Sequence, residues 1–252
     1  MNLDKASVFL TGGAGGIGSA LDRAFTDAGA TVVTADLEGA DVRLDVTDAA
    51  AVAAAIASLE RIDVVIANAG IGVGGIVDDI ATADWQRTID INIGGVVNTV
   101  LPAYARLRDQ RHGAIVLMAS LSGLVGTPLM TPYSMSKHAI VGLGESLRGE
   151  AARYGIGVTT VCPGPVETSL LDAPVSTPGL SPRRYLVSAA GKPITADALA
   201  RRVVDAVQAN RALVIPGRAG AIARAARFAP RLTGRIIASK MHRELRHADS
   251  RP

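Results

Sequence analysis

Ser7-Val8-Phe9-Leu10-Thr11-Gly12-Gly13-Ala14-Gly15-Gly16-Ile17-Gly18 is a short apolar run that breaks into a glycine-rich turn. Leu21, Ala24, Phe25 and Ala28 follow at helical spacing. The three parts read as strand, turn and helix. Glycine is needed where the chain reverses sharply and where a phosphate must approach the backbone. The N–H groups of the helix start can then bind a pyrophosphate. This local order predicts an α/β fold with a parallel sheet.

Working outward, the next strand, Thr31-Val32-Val33-Thr34-Ala35, ends at Asp36, eighteen residues beyond Gly18. A carboxylate there can accept from a ribose 2′-hydroxyl and repel a 2′-phosphate, so NAD is favoured over NADP. No Arg or Lys lies within the glycine turn or directly after Asp36. Ile62–Ala67, Ile115–Ala119 and Gly157–Cys162 are apolar runs of the kind buried in parallel sheets, and Ala212–Pro216 reads as a last strand. Between Asp36 and Val42 there is no room for a crossover helix, and a cramped loop is expected. Helices are expected from about Ala83 to Arg108 and near Ala196–Asn210.

A second stretch, Thr131-Pro132-Tyr133-Ser134-Met135-Ser136-Lys137, reads as an N-cap with proline at the first helical position. Tyr133 and Lys137, four apart, share one helix face. A neighbouring ammonium favours a phenolate, so Lys137 is expected to draw the Tyr133 pKa down and make it a general acid/base.

Thr-Gly-x-x-x-Gly-x-Gly at 11–18 with Tyr-x-x-x-Lys at 133–137 resembles the short-chain dehydrogenase/reductase superfamily, in its branch of roughly 250-residue single-domain enzymes. Asp45-Val46, Asn68-Ala69-Gly70, Asn92, Ser120 and Pro163-Gly164-Pro165-Val166-Glu167-Thr168 follow in the family's order. The resemblance spans about residues 4–217. It implies a Rossmann-like doubly wound sheet of about seven strands in order 3-2-1-4-5-6-7. It also implies a catalytic set of Asn92, Ser120, Tyr133 and Lys137. By the same resemblance the cofactor would meet Gly12, Gly15, Gly16, Ile17, Gly18, Asp36, Asp45, Val46, Asn68, Ala69, Gly70, Tyr133, Lys137, Pro163, Gly164, Val166 and Thr168. Asn92 would hold a water that relays protons to Lys137. Ser120, thirteen residues before Tyr133, would hold the reacting oxygen, with Ser122 as a competitor at the wrong spacing. Asp45 has a plainer reading as a cap for a helix starting near Asp48.

Residues 169–195, within a single catalytic domain at 1–217, mix prolines and glycines with Leu170, Leu171, Leu180, Tyr185 and Leu186, without helical or strand periodicity. Such a loop is often a lid. By the resemblance it is the substrate-covering loop, so its apolar residues, with Leu121, Leu124 and Met130, point to a hydrophobic substrate, Ser120, Leu121, Met130, Leu170 and Leu171 being the candidate contacts. Arg183 and Arg184 read either as solvated or as ligands of a substrate carboxylate or phosphate.

The chain has 252 residues, one cysteine and 3% aromatics. A single Cys162 allows no disulfide framework or cysteine-rich metal site, and the four histidines show no metal-like grouping, so no metal is expected. No signal peptide is expected, and the chain reads as cytoplasmic; a homo-oligomer through the helices near 83–108 and 132–154 is what the resemblance implies. Charge is lopsided. Residues 1–210 carry 16 Lys/Arg against 21 Asp/Glu, whereas 211–252 carry 10 against 2. Arg224, Arg227, Arg231 and Arg235 recur at helical spacing beside an apolar side, with Pro230 dividing the extension at 218–252 into two helices. A basic amphipathic helix can lie peripherally on an anionic membrane or pack over the lid or a neighbouring subunit. Scarce aromatics argue against nucleic acid.

The expected reaction is NAD-dependent interconversion of a hydrophobic secondary alcohol and its ketone. Alternatives are a 3-oxoacyl-type ketoreductase or an epimerase on the same scaffold, or a dinucleotide-sensing, membrane-associated binding protein.

Overall fold

The computed structural model describes residues 1–249; the last three positions of the basic extension, 250–252, lie outside them. In chain order the elements are β1 (Ser7–Thr11), α1 (Gly16–Asp27), β2 (Thr31–Asp36), β3 (Val42–Arg43), α2 (Ala49–Ser58) and β4 (Val64–Ala67). Then come α3 (Thr82–Ile89), a π turn (Asp90–Gly94), α4 (Gly95–Gln110), β5 (Gly113–Met118), α5 (Thr131–Ala152) and β6 (Ile156–Val161). The chain continues with α6 (Pro182–Ala190), α7 (Ala196–Gln208), β7 (Leu213–Val214), α8 (Ala219–Phe228) and α9 (Pro230–Asp249).

The seven strands form one sheet in the order β3-β2-β1-β4-β5-β6-β7, with every pairing parallel. This is the expected Rossmann-like doubly wound arrangement. Its two faces follow from side-chain alternation. Val8, Leu10, Val64 and Ile66 point into a core shared with α1 and α7, while Phe9, Val65 and Ala67 point into the opposite core with α2, α4 and α5. Both faces are covered, which is why these strands are continuously apolar.

The cramped β2–β3 link is closed by one side chain. The Asp41 carboxylate accepts from Thr34 N at 2.9 Å and Thr34 Oγ1 at 2.7 Å, folding the loop back so that Asp36 pairs with Arg43.

Three local expectations change. The helix expected from Ala83 to Arg108 is interrupted by the π turn, which carries Asn92. The Tyr–Lys helix starts one residue early, with Met130 rather than Thr131 in the capping position and no side-chain cap. The segment expected to be an irregular lid contains α6, capped by Ser181, whose hydroxyl accepts from Arg184 N at 3.2 Å, and started by Pro182. That Ser-Pro pair was a legible helix start masked by the surrounding prolines.

Candidate active site

β1, β2, β4, β5 and β6 all deliver their carboxyl ends to one edge of the sheet, where open α/β sheets form their crevice. A cavity of about 470 Å³ lies there. All the residues nominated for the cofactor line it, as do Ser120, Leu121, Met130, Leu170 and Leu171. Asn92 does not; it is fully buried behind the wall.

The glycine turn is shaped by packing. A Cβ on Gly18 would fall 2.0 Å from the Gly12 oxygen, and one on Gly12 would fall 2.8 Å from Ala69 Cα. Gly12 also has φ +69°, a left-handed conformation that side chains disfavour. Gly15 differs: a Cβ there would meet only the Gly12 oxygen, at 3.5 Å, so this backbone is open to the cavity. Gly15 occupies the N-cap of α1 with no side-chain cap, leaving first-turn N–H groups available to an anion. Asn68 pins the turn from β4, donating through Nδ2 to the oxygens of Thr11 (3.1 Å) and Gly12 (3.0 Å). The Asp36 carboxylate accepts from Ala14 N (3.1 Å) and Leu37 N (2.8 Å), so it borders the turn from β2. Asp48, not Asp45, caps α2 through Ala51 N; Asp45 instead accepts from Thr47 and faces the cavity. The cradle thus has the donors, the open backbone and the acidic border that a dinucleotide requires.

At the far end stand Ser120, Tyr133 and Lys137, all nearly buried. Ser120 hydrogen-bonds the Tyr133 hydroxyl. Ser122, its sequence competitor, is engaged elsewhere, accepting from Thr127 Oγ1 at 2.9 Å. Lys137 Nζ lies 5.6 Å from the Tyr133 ring centroid and donates to the Met118 oxygen at 2.8 Å. The expected depression of the tyrosine pKa is not present here. Burial raises the Tyr133 pKa, and the Ser120 hydrogen bond only partly offsets it. Burial also pushes Lys137 down to about 8. The reason is common to both: burial in one dry pocket penalises the charged form of each, although Lys137 at about 8 is still largely an ammonium at neutral pH. Cys162, beneath them, is pushed up to about 12 by burial and is a packed apolar residue, not a nucleophile.

Asn92 is tied to protein on every side of its amide. Nδ2 donates to the Ile71 oxygen (2.9 Å) and Ser136 Oγ (3.0 Å), and Oδ1 accepts from Ile71 N (2.8 Å). It joins the loop after β4 to the helix carrying Tyr133. A Cβ on Gly70 would lie 3.1 Å from Asn92 Oδ1 and 3.4 Å from Lys137 Nζ, so Gly70 sits close to both.

Ile222 of α8 and Ile237 of α9, which no local sequence pattern marks as wall, line the cavity beside the expected Tyr185 and Leu186 of α6. Leu124 packs beneath α8 instead of lining it. Arg183 and Arg184 do not line the cavity; both stay partly in water and are held in ion pairs. Arg183 bridges Asp172 and Glu167, and Arg184 pairs with Glu244 of α9, which is 3% exposed. Among the described residues no group of three or more His, Cys, Asp or Glu could hold a metal ion.

A parallel sheet with a glycine cradle, an acidic border and a buried Ser–Tyr–Lys cluster in one crevice defines an oxidoreductase of the nicotinamide-dinucleotide class. The chain belongs to the short-chain dehydrogenase/reductase family: the family model for short chain dehydrogenase matches residues 6–177. It is 32% identical over 181 residues to an acetoacetyl-CoA reductase of Synechocystis sp., covering 68% of this chain and 75% of that one. It is 36% identical over 192 residues to the oxidoreductase UcpA of Salmonella typhimurium, covering 68% and 73%. Among solved structures, a short chain dehydrogenase/reductase from Burkholderia phymatum in complex with NAD is 28% identical. That structure has a TM-score of 0.76 and covers 85% of this chain and 90% of its own.

Proposed function

We propose that this chain is an NAD-dependent oxidoreductase that interconverts a hydrophobic secondary alcohol and its ketone. The observation that carries this reading is the placement of Ser120, Tyr133 and Lys137 at one end of a cavity whose other end is the open glycine cradle. The dinucleotide, when bound, exchanges a hydride with the carbinol carbon. Gly15, Gly16 and Ile17 would hold its phosphates, Asp36 its adenine ribose, and Val166 and Thr168 its carboxamide end. Ser120 Oγ orients the substrate oxygen, and the Tyr133 hydroxyl gives or takes its proton. An ammonium on Lys137 makes that transfer easier and can hold a ribose hydroxyl. Asn92 acts through the loop after β4 and through Ser136 of α5, as a positioning residue. The apolar wall of Leu121, Met130, Leu170, Leu171, Tyr185 and Ile222 supports a hydrophobic substrate.

Asp36 supports NAD over NADP because its carboxylate repels a 2′-phosphate. The similarity to an acetoacetyl-CoA reductase favours one second reading, a 3-oxoacyl-type ketoreductase. A homo-oligomer through α4 and α5 is supported by Val97, Leu101 and Met135, apolar side chains left exposed on those helices.

The test is NADH formation over a panel of bulky secondary alcohols, with NADP, acetoacetyl-CoA reduction and Tyr133→Phe in parallel. The expected result is NAD-dependent turnover that falls by about 10²- to 10⁴-fold in the variant. Turnover indifferent to Tyr133 would refute the mechanism.

A further inference from the structure

α8 and α9 are apolar on two sides. Ile222, Ala223, Ala226 and Ile237 turn inward against Leu121 and Val125. Phe228, Leu232 and Ile236 turn outward and are 79%, 59% and 52% exposed. Leu232 and Ile236, one helical turn apart, continue from Phe228 across the single residue that separates the two helices. Folding of this chain leaves the outer patch uncovered.

Arg224, Arg227, Arg231 and Arg235 are exposed around the same corner. None of the four pairs with a carboxylate among the described residues, in contrast to Arg183 and Arg184 close by. Asp249 and the buried Glu244 are the acids of the whole 211–252 segment, and Glu244 is already committed to Arg184. An exposed aromatic and two aliphatic side chains set among four free guanidinium groups match a surface that is apolar inside and anionic at its boundary. A soluble acidic partner would satisfy the arginines but leave Phe228, Leu232 and Ile236 without a reason to be apolar.

We propose that the α8–α9 corner docks on an anionic lipid bilayer, with Phe228, Leu232 and Ile236 inserted at the interface and Arg224, Arg227, Arg231 and Arg235 against the headgroups. No helix among the described residues is long and apolar enough to cross a membrane, so the contact is peripheral. The inner side of the same helices contributes Ile222 and Ile237 to the cavity wall. The docked face therefore lies about one helix diameter, ~10 Å, from the substrate site.

The experiment is flotation of the full chain with vesicles of phosphatidylglycerol and phosphatidylcholine, against vesicles of phosphatidylcholine alone, with sedimentation velocity in the absence of lipid. The expected result is flotation with the anionic vesicles only, weakened by salt. Binding should fall at least about tenfold in Phe228→Ser/Leu232→Ser/Ile236→Ser and in Arg224→Gln/Arg227→Gln/Arg231→Gln/Arg235→Gln. Equal binding to both vesicle types, or binding unchanged in the apolar variant, overturns the proposal. So does an apolar variant that dissociates an oligomer formed without lipid, because the patch is then a subunit interface. The readout is independent of turnover, so its failure leaves the dehydrogenase reading untouched.

Discussion

Replacing Glu244 by alanine removes the acid that ties the last helix to the substrate-covering segment. The Glu244 carboxylate accepts from Ser181 N at 2.8 Å, from Arg184 Nε at 2.7 Å, and from Arg184 Nη2. It is 3% exposed, whereas the Arg184 side chain keeps 32% of its surface in water. Breaking a fully buried pair from one side costs about 3–5 kcal/mol, and the hydration left to Arg184 lowers this to about 2–3 kcal/mol. The opening equilibrium of α9 then rises about 30- to 150-fold. The loss should be local, since α9 ends the described chain and packs on α6 and α8, not on the sheet. Hydrogen exchange read by peptide is the assay. Segments 179–190 and 231–249 should lose protection while β1, β4 and β5 keep theirs, and KM for the hydrophobic alcohol should rise as Tyr185 and Leu186 loosen. Glu244→Gln, which keeps two acceptor-side contacts but no charge, should fall between the two. Unchanged exchange in α6 and α9 would refute this account of the latch, as would an equal loss across the sheet.

Gly144→Ala would place a Cβ 2.0 Å from Thr160 Oγ1 and 3.2 Å from Leu117 Cδ1, forcing α5 off the sheet; a loss of about 1–3 kcal/mol by urea titration is expected, with impaired turnover because α5 carries Tyr133 and Lys137. Asp36→Ala should shift the kcat/KM ratio about 10- to 100-fold toward NADP, since it removes a repelling charge and leaves Arg43, its in-register neighbour on β3, beside the site. Asp36→Asn separates this charge effect from the hydrogen bonds to Ala14 and Leu37. Burial holds Lys137 at about 8 against 10.5 when exposed, so the unfolded chain binds more protons between those values. Stability of the ligand-free protein should therefore rise with pH from about 8 by at most ~3 kcal/mol, and Lys137→Met should flatten the rise. Above the ordinary tyrosine value of 10.0, the raised Tyr133 pKa opposes it, because the unfolded chain then gives up a proton that the folded one keeps.

The sequence by itself determined the sheet and the glycine cradle. Their signals are local: a turn that only glycine can make, an acid at the end of the next strand, and apolar runs of strand length with helices between them. It also placed Tyr133 and Lys137 on one helix face, because helical periodicity alone does that. What only the tertiary structure decided depends on groups distant in the chain. The two partners of the Asn92 amide are Ile71 and Ser136, and no pattern near Asn92 indicates either. Arg184 and Glu244, 60 residues apart, turn an arginine that reads as solvated into half of a latch. Ile222 and Ile237 become cavity wall because the basic extension folds back over the crevice. The direction of the Tyr133 pKa belongs to the same set. Helical spacing brings Lys137 near, but burial is a property of the whole fold, and desolvation raises the Tyr133 pKa more than the Ser120 hydrogen bond lowers it.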